Sequence, residues 1–175
     1  MALNWLEEVV SQWYKLRGYI VIENEDFPTP KGKGGRAEAD IIAFDKKELV
    51  QVECKTYWGT SSKEKELQQL RQKFQLVQEQ IFDRYKFLKQ YKSIKKTVVT
   101  GRADNPRPIG PWSRLQAFCK KEKIELIEIN TIIEELIREL RHEYPKSKGI
   151  VGKKEGIARF LIHLTHNHFL KRPQK

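Results

Sequence analysis

The sequence predicts an α/β fold, a mixed central sheet with helices on both faces, and three observations carry that prediction. Short β-branched runs alternate with segments whose apolar residues step by three or four. Two strand-like runs, Ala37–Phe44 and Glu48–Thr56, flank a tight turn at Asp45-Lys46-Lys47 and read as an opening hairpin. The chain has 175 residues, 39% of them apolar and 33% charged, which is the size and composition of one globular domain with a short appendage. A chain of this length can bury roughly 70% of its unfolded surface, so it needs neither disulfides nor a structural metal.

In chain order, Asn4 is a candidate N-cap for a first helix, and Gly18 is a suitable stop. Leu6, Val9, Val10, Trp13 and Leu16 recur along that helix at helical spacing. Tyr19–Glu23 is a short strand, and the stretch DFPTPKGKGGRAEAD is a basic loop set by its prolines and glycines. After the hairpin, Leu67, Leu70, Phe74, Val77, Ile81, Tyr85 and Leu88 predict one long amphipathic helix from Ser62 to about Tyr91. A strand at Thr97–Thr100, a rigid basic loop GRADNPRPIGP, a helix at Trp112–Lys121, a strand at Ile124–Ile129 and a helix at Thr131–His142 complete the domain, residues 1–144. Residues 145–175 form a basic extension with a last helix at Gly156–Leu170. There is no internal repeat.

Composition excludes several classes. The longest apolar runs, such as Ile41–Phe44, are far too short to span a membrane, and the N-terminus carries acid where a signal peptide needs base. Cys54 and Cys119 lie in apolar segments without ligand spacing, so they are expected to be reduced core thiols of a cytoplasmic protein. With 34 basic and 23 acidic side chains the net charge is +11, which points to a polyanionic partner. That charge is uneven: residues 1–60 carry −2, residues 61–144 carry +6 and residues 145–175 carry +7. The acidic excess at the front needs its own explanation.

Strand alternation supplies one. Side chains alternate faces along a strand, so Leu49, Gln51, Glu53 and Lys55 point one way and Val50, Val52 and Cys54 the other. The apolar face belongs on the core, which leaves Glu53 and Lys55 neighbours on the opposite face. Glu38 and Asp40 share a face of the preceding strand, and pairing the two strands brings Asp40 towards Glu53. Two converging carboxylates repel unless a cation lies between them. Hard oxygen ligands with room for water suit Mg²⁺, which also binds substrate phosphate. A lysine beside such an ion can stabilise developing charge or orient the attacking water. Asp40, Glu53 and Lys55 are therefore the group that phosphodiester hydrolysis requires, although a charged strand face can also be simply solvated.

Asp40 followed thirteen positions on by Glu53-Cys54-Lys55 resembles the D…ExK signature of the PD-(D/E)xK nuclease superfamily. The opening helix ending at Gly18-Tyr19, the hairpin and the long helix are similar to the restriction-endonuclease-like α-β-β-β-α-β core of that fold. Archaeal-type Holliday-junction resolvases and Mrr-type restriction endonucleases are the nearest members in pattern. The resemblance implies a metal-dependent DNA endonuclease, using Mg²⁺ with Mn²⁺ as a substitute, that acts on duplex or branched DNA. It further implies a homodimer and no small-molecule cofactor. It implies Glu7, eleven positions ahead of Gly18, as a further metal-site residue, with Glu8 competing for that role and a capping box as Glu7's other explanation. Ala39 stands where the superfamily usually has proline. Glu38 is either a second metal ligand or a charged neighbour, and Gln51 either positions a ligand or fills space.

For DNA, Lys31, Lys33 and Arg36 lie in the glycine-rich loop, and Arg102 and Arg107 in the proline-rich one, where each can meet phosphate. Tyr57 and Trp58 can stack on a base or pack under the long helix. The tail offers Lys146, Lys148, Lys153, Lys154, Arg159, Lys171 and Arg172. His163, His166 and His168 cluster there without a cysteine or carboxylate to complete a zinc site. Two alternatives remain at this level: a non-catalytic nucleic-acid-binding subunit that kept the fold, and an RNA-processing nuclease.

Overall fold

The structure, a computed structural model, describes residues 5–29, 36–55, 64–101 and 109–143. It divides into two compact units, Met1–Ile129 and Asn130–Lys175.

The first unit is built on a five-stranded mixed sheet in the order β1-β2-β3-β4-β5. Strands β1 (Ile20–Pro28), β2 (Arg36–Phe44) and β3 (Leu49–Lys55) form an antiparallel meander, and β4 (Ile94–Thr100) and β5 (Ile124–Glu128) add in parallel. Parallel neighbours need crossovers, which α2 (Glu64–Arg84) and α3 (Ile109–Lys121) supply. Leu67, Leu70 and Phe74 of α2 pack with Leu115, Phe118 and Cys119 of α3 against Val98 and Ile124 of the sheet. The other half of α2 buries Leu76, Val77 and Ile81 against Phe27, Ile42, Phe44 and Leu49. Helix α1 (Trp5–Leu16) contacts β1, β2 and β3, and its Tyr14 hydroxyl hydrogen-bonds Thr97. Thr97 and Val98 are successive strand residues and face opposite ways, so α1 covers the face that α2 and α3 leave. Helices on both faces are as the sequence predicts.

Gly18 ends α1 as expected. Its φ is +86°, its N–H donates to the Lys15 carbonyl at 3.0 Å, and the Tyr19 N–H reaches the Tyr14 carbonyl at 3.1 Å. These two bonds make a Schellman cap, closed by the Tyr14 and Tyr19 rings packed edge to face. A Cβ at residue 18 would meet nothing within 4 Å, so only the backbone conformation resists substitution. Gly18→Ala is expected to lower stability by about 1 kcal/mol in chemical denaturation, without changing activity.

Several elements differ from the sequence reading: β4 begins early, at Ile94, and α3 begins at Ile109, within the residues read as the proline-rich loop. Strand β1 runs on through Asp26-Phe27-Pro28, residues assigned above to the loop, and pairs as far as Pro28 opposite Arg36. Phe27 is fully buried, while Gln80 and Arg84 of α2 donate to the Pro28 and Asp26 carbonyls at 2.8 and 2.6 Å. Tertiary contacts thus extend a strand whose local composition favours a turn. The long helix stops at Arg84: Tyr85 leaves helical geometry at φ −118°, ψ 83°, and Lys86–Gln90 form a 3₁₀ turn. That turn buries Leu88 in the core and lets the Tyr91 hydroxyl donate to the Asp45 carbonyl. The last strand likewise ends at Glu128, and Ile129 opens the next helix.

The Asp45 turn is as predicted: its carboxylate accepts from the N–H groups of Lys47 and Glu48 at 2.7 and 2.9 Å. In the second unit the described element is α4 (Ile129–Glu143), whose Ile132 and Leu136 are buried. Among the described residues, no helix is long and apolar enough to cross a membrane.

Candidate active site

The β2–β3 ladder ends at the pair Ile41·Val52, one step short of Asp40 and Glu53. At this point Asp40 replaces a ladder bond with its side chain, Oδ2 accepting the Cys54 N–H at 2.6 Å. The remaining Asp40 oxygen, Oδ1, accepts from Lys73 Nζ at 2.9 Å, and the same ammonium donates to Glu53 Oε2. Two carboxylates from adjacent strands therefore converge on one cation, which α2 delivers. Glu53 is 0% exposed and Asp40 8%.

Behind them lies Gln51, also fully buried. Its Nε2 donates weakly to Glu53 Oε1 at 3.4 Å, and its Oε1 has no partner among the described residues. An orphaned buried amide oxygen costs about 1–3 kcal/mol, so the group calls for a ligand or a water.

The charges do not cancel, since two carboxylates face one ammonium. Burial, reinforced by the charge on Asp40, pushes the Glu53 carboxyl up to about 8 against the pull of Lys73. Burial opposes the Lys73 charge, yet Glu53 and Asp40 together hold its ammonium above the usual lysine range. The cluster thus retains protons more tightly than the separate side chains would. Cys54 feels the same excess: burial, then Asp40, Glu53 and Glu7, raise its thiol well above the ordinary value. Burial alone raises Cys119 to about 11. Both cysteines are free and buried. At pH 8, neither is expected to react with iodoacetamide in the folded chain and both to react in urea, read by mass spectrometry.

The residues singled out from sequence fare differently. Asp40 and Glu53 meet. Lys55 is exposed at the end of β3 and makes no ion pair with either, although its charge is felt at Glu53. Glu7 is half-buried in the first turn of α1, close enough for its charge to act on Cys54. Glu38 is half-buried opposite Asp26 and does not join the Asp40–Lys73–Glu53 cluster. Among the described residues, no three His, Cys, Asp or Glu side chains gather at metal-holding distance. Arg36 starts β2, with only its backbone described. Lys31, Lys33, Tyr57, Trp58, Arg102, Arg107, Lys153, Lys154, Arg159 and the three tail histidines lie outside the described residues.

Lys73 was not anticipated, and one expectation explains why. The Gln51–Glu53 face is not open: Leu49, on the same face, is buried against Leu76, Val77 and Ile81 of α2, and every β3 residue except Lys55 is buried. The carboxylates sit under a helix and take their counter-ion from it. The available signal was Lys73 itself, placed between Leu70 and Phe74 on the flank of the apolar stripe.

Comparison with known proteins places the chain in a family. No curated protein matches the chain. A solved crystal structure of a protein of unknown function, AF1548, is similar at 14% identity and a TM-score of 0.48, over 75% of this chain and 66% of that one, just under two thirds of its length. Residues 2–109, which hold α1 to β4 and with them Glu7, Asp40, Glu53 and Lys73, match the family model described as NERD, nuclease-related domain. That domain is a PD-(D/E)xK-like nuclease domain, and this chain belongs to the NERD family.

Proposed function

We propose that the chain is a divalent-metal-dependent endonuclease hydrolysing phosphodiester bonds of DNA, with Asp40 and Glu53 at the centre of its site. The observation that carries this reading is the convergence of those two carboxylates, from adjacent strands, on a single cation. The donor set fits the metal: two hard carboxylates and an unpartnered amide oxygen on Gln51, the kind of partial shell that Mg²⁺ completes with water and substrate. Asp40 and Glu53 would hold the ion with Gln51 beside Glu53, and Glu7 of α1 is proposed as a further ligand. Bound there, it would polarise a phosphoryl oxygen and lower the pKa of a bound water.

The chain's own residues do the rest. The Cys54 N–H fixes the Asp40 carboxylate in orientation. Burial of Gln51 and Glu53 keeps bulk water off the back of the site, where electrostatic interactions are correspondingly stronger. Lys55 shares the Glu53 strand face, and its exposed ammonium would meet a phosphate oxygen. The basic side chains of the two loops and the tail would hold the DNA backbone, and a homodimer would supply two sites for cutting both strands.

A rival reading draws on the same contact. Lys73 filling the space between the carboxylates is also what a chain kept only for binding nucleic acid would show. Labelled duplex, four-way junction, flap, single-stranded DNA and RNA, incubated with the chain in Mg²⁺ and in EDTA, decide between them. Cleavage of a DNA in Mg²⁺ alone is the expected result. Binding without cleavage of any of them supports the rival, and cleavage confined to RNA identifies an RNA-processing enzyme.

A further inference from the structure

We propose that Lys73 has two working positions: counter-ion of Asp40 and Glu53 in the free chain, and ligand of a nucleic-acid phosphate in the cleft along α2 once a divalent cation takes its place. This rests on the reading of Asp40 and Glu53 as the metal-holding pair.

The first position is the observed one, 2.9 Å from Asp40 and in contact with Glu53. The second is open space beside it. Lys73 also lines a cleft of about 680 Å³ between α2 and the Thr29 and Ala37 region of the meander. Gln69, Gln72 and Gln75 line the same cleft, together with Leu76 and with Glu79, whose carboxylate accepts from Gln75 Nε2 at 2.8 Å. Neutral amides both donate and accept, so they can meet phosphate, sugar or base edges without adding fixed charge. Lys73 would be the cationic member of that wall.

Charge arithmetic connects the two positions. With both carboxylates ionised, the form in which they hold a metal, one ammonium leaves a net negative charge, which a divalent cation matches better. With that ion between Asp40 and Glu53, the Lys73 ammonium faces a like charge at close range and has to leave. Its flexible four-carbon stem allows the turn, and the cleft is the adjoining open volume. A strand of nucleic acid in the cleft offers the anion that receives it. Metal and strand are then coupled through a single side chain: each strengthens binding of the other by the same factor. The arrangement also accounts for the contact that otherwise favours a binding-only chain.

Calorimetric titration with Mn²⁺ at pH 8, without nucleic acid, tests the first position. K73M and K73Q are expected to bind Mn²⁺ at least about tenfold more tightly than the parent chain, and D40N to lose binding. Fluorescence anisotropy with a short labelled duplex tests the second. Ca²⁺ is expected to tighten duplex binding by the parent about 5- to 150-fold, the usual range of such coupling, and to do so much less for K73Q. Circular dichroism confirms that each variant is folded, and K73Q keeps hydrogen bonds to the carboxylates should K73M not fold. If the parent and both Lys73 variants bind Mn²⁺ equally while D40N does not, the metal site stands and the Lys73 proposal falls. If neither the parent nor a folded Lys73 variant binds Mn²⁺, both fall together.

Discussion

Asp40→Asn is expected to lower cleavage by about 100- to 1,000-fold or more, the loss seen when one preorganised electrostatic group is removed from a reacting centre. Binding of DNA without a divalent cation should change little, because the basic loops and tail are untouched. The structure explains why the fold should survive. Asparagine keeps an oxygen that can accept the Cys54 N–H, and Lys73 keeps Glu53. Asp40→Ala is the informative contrast. It leaves the buried Cys54 N–H without a partner and should lower stability by about 1–3 kcal/mol, in addition to abolishing cleavage. Rates on a labelled duplex, together with thermal unfolding of both variants, separate the chemical role of Asp40 from its structural one.

Glu53→Gln is expected to raise the stability of the metal-free chain while removing activity. In the folded chain Glu53 keeps its proton to about pH 8, whereas in the unfolded chain it loses it in the ordinary carboxylate range. Between those limits the folded state binds the extra proton, so this group's contribution to stability falls as pH rises through the window. Glutamine has no proton to lose and leaves Asp40 and Lys73 as a balanced pair. The variant and the parent should be closely matched near pH 5. At pH 9 the variant should be more stable by about 2–4 kcal/mol, read from denaturant unfolding in EDTA. Added Mg²⁺ should narrow that gap by stabilising the parent alone. A site that is strained until its ligand arrives commonly shows this opposition of stability and activity.

Much of the fold and of the carboxylate pair is legible in the sequence. Alternation along Leu49–Lys55 sorts Gln51, Glu53 and Lys55 from Val50, Val52 and Cys54, and the short Asp45 turn sets the register that carries Asp40 to Glu53. Local rules suffice because strand period and turn chemistry are local. The strand that begins at Ile20 shows where they stop: Asp26-Phe27-Pro28 reads as a turn by composition, yet Phe27 is drawn into the core and α2 holds the neighbouring carbonyls. Lys73 was hidden for a related reason. It stands twenty residues beyond Glu53, on the flank of a helix whose apolar stripe is all that periodicity reveals. Only the packing of α2 over β3 shows that this flank meets two buried carboxylates. The end of α2 at Arg84 is equally non-local, since it is the burial of Leu88 and the reach of Tyr91 to Asp45 that turn the chain.

The most direct test of the central claim uses one variant in one buffer. Parent and E53Q are placed at pH 9 in Mg²⁺ with a DNA that the parent cuts, and cleavage rate and folded fraction are measured on the same samples. The account predicts an E53Q chain that is fully folded and cuts at least about 100-fold more slowly. E53Q cutting at the parent's rate would contradict it, and would remove the paired carboxylates from the chemistry altogether.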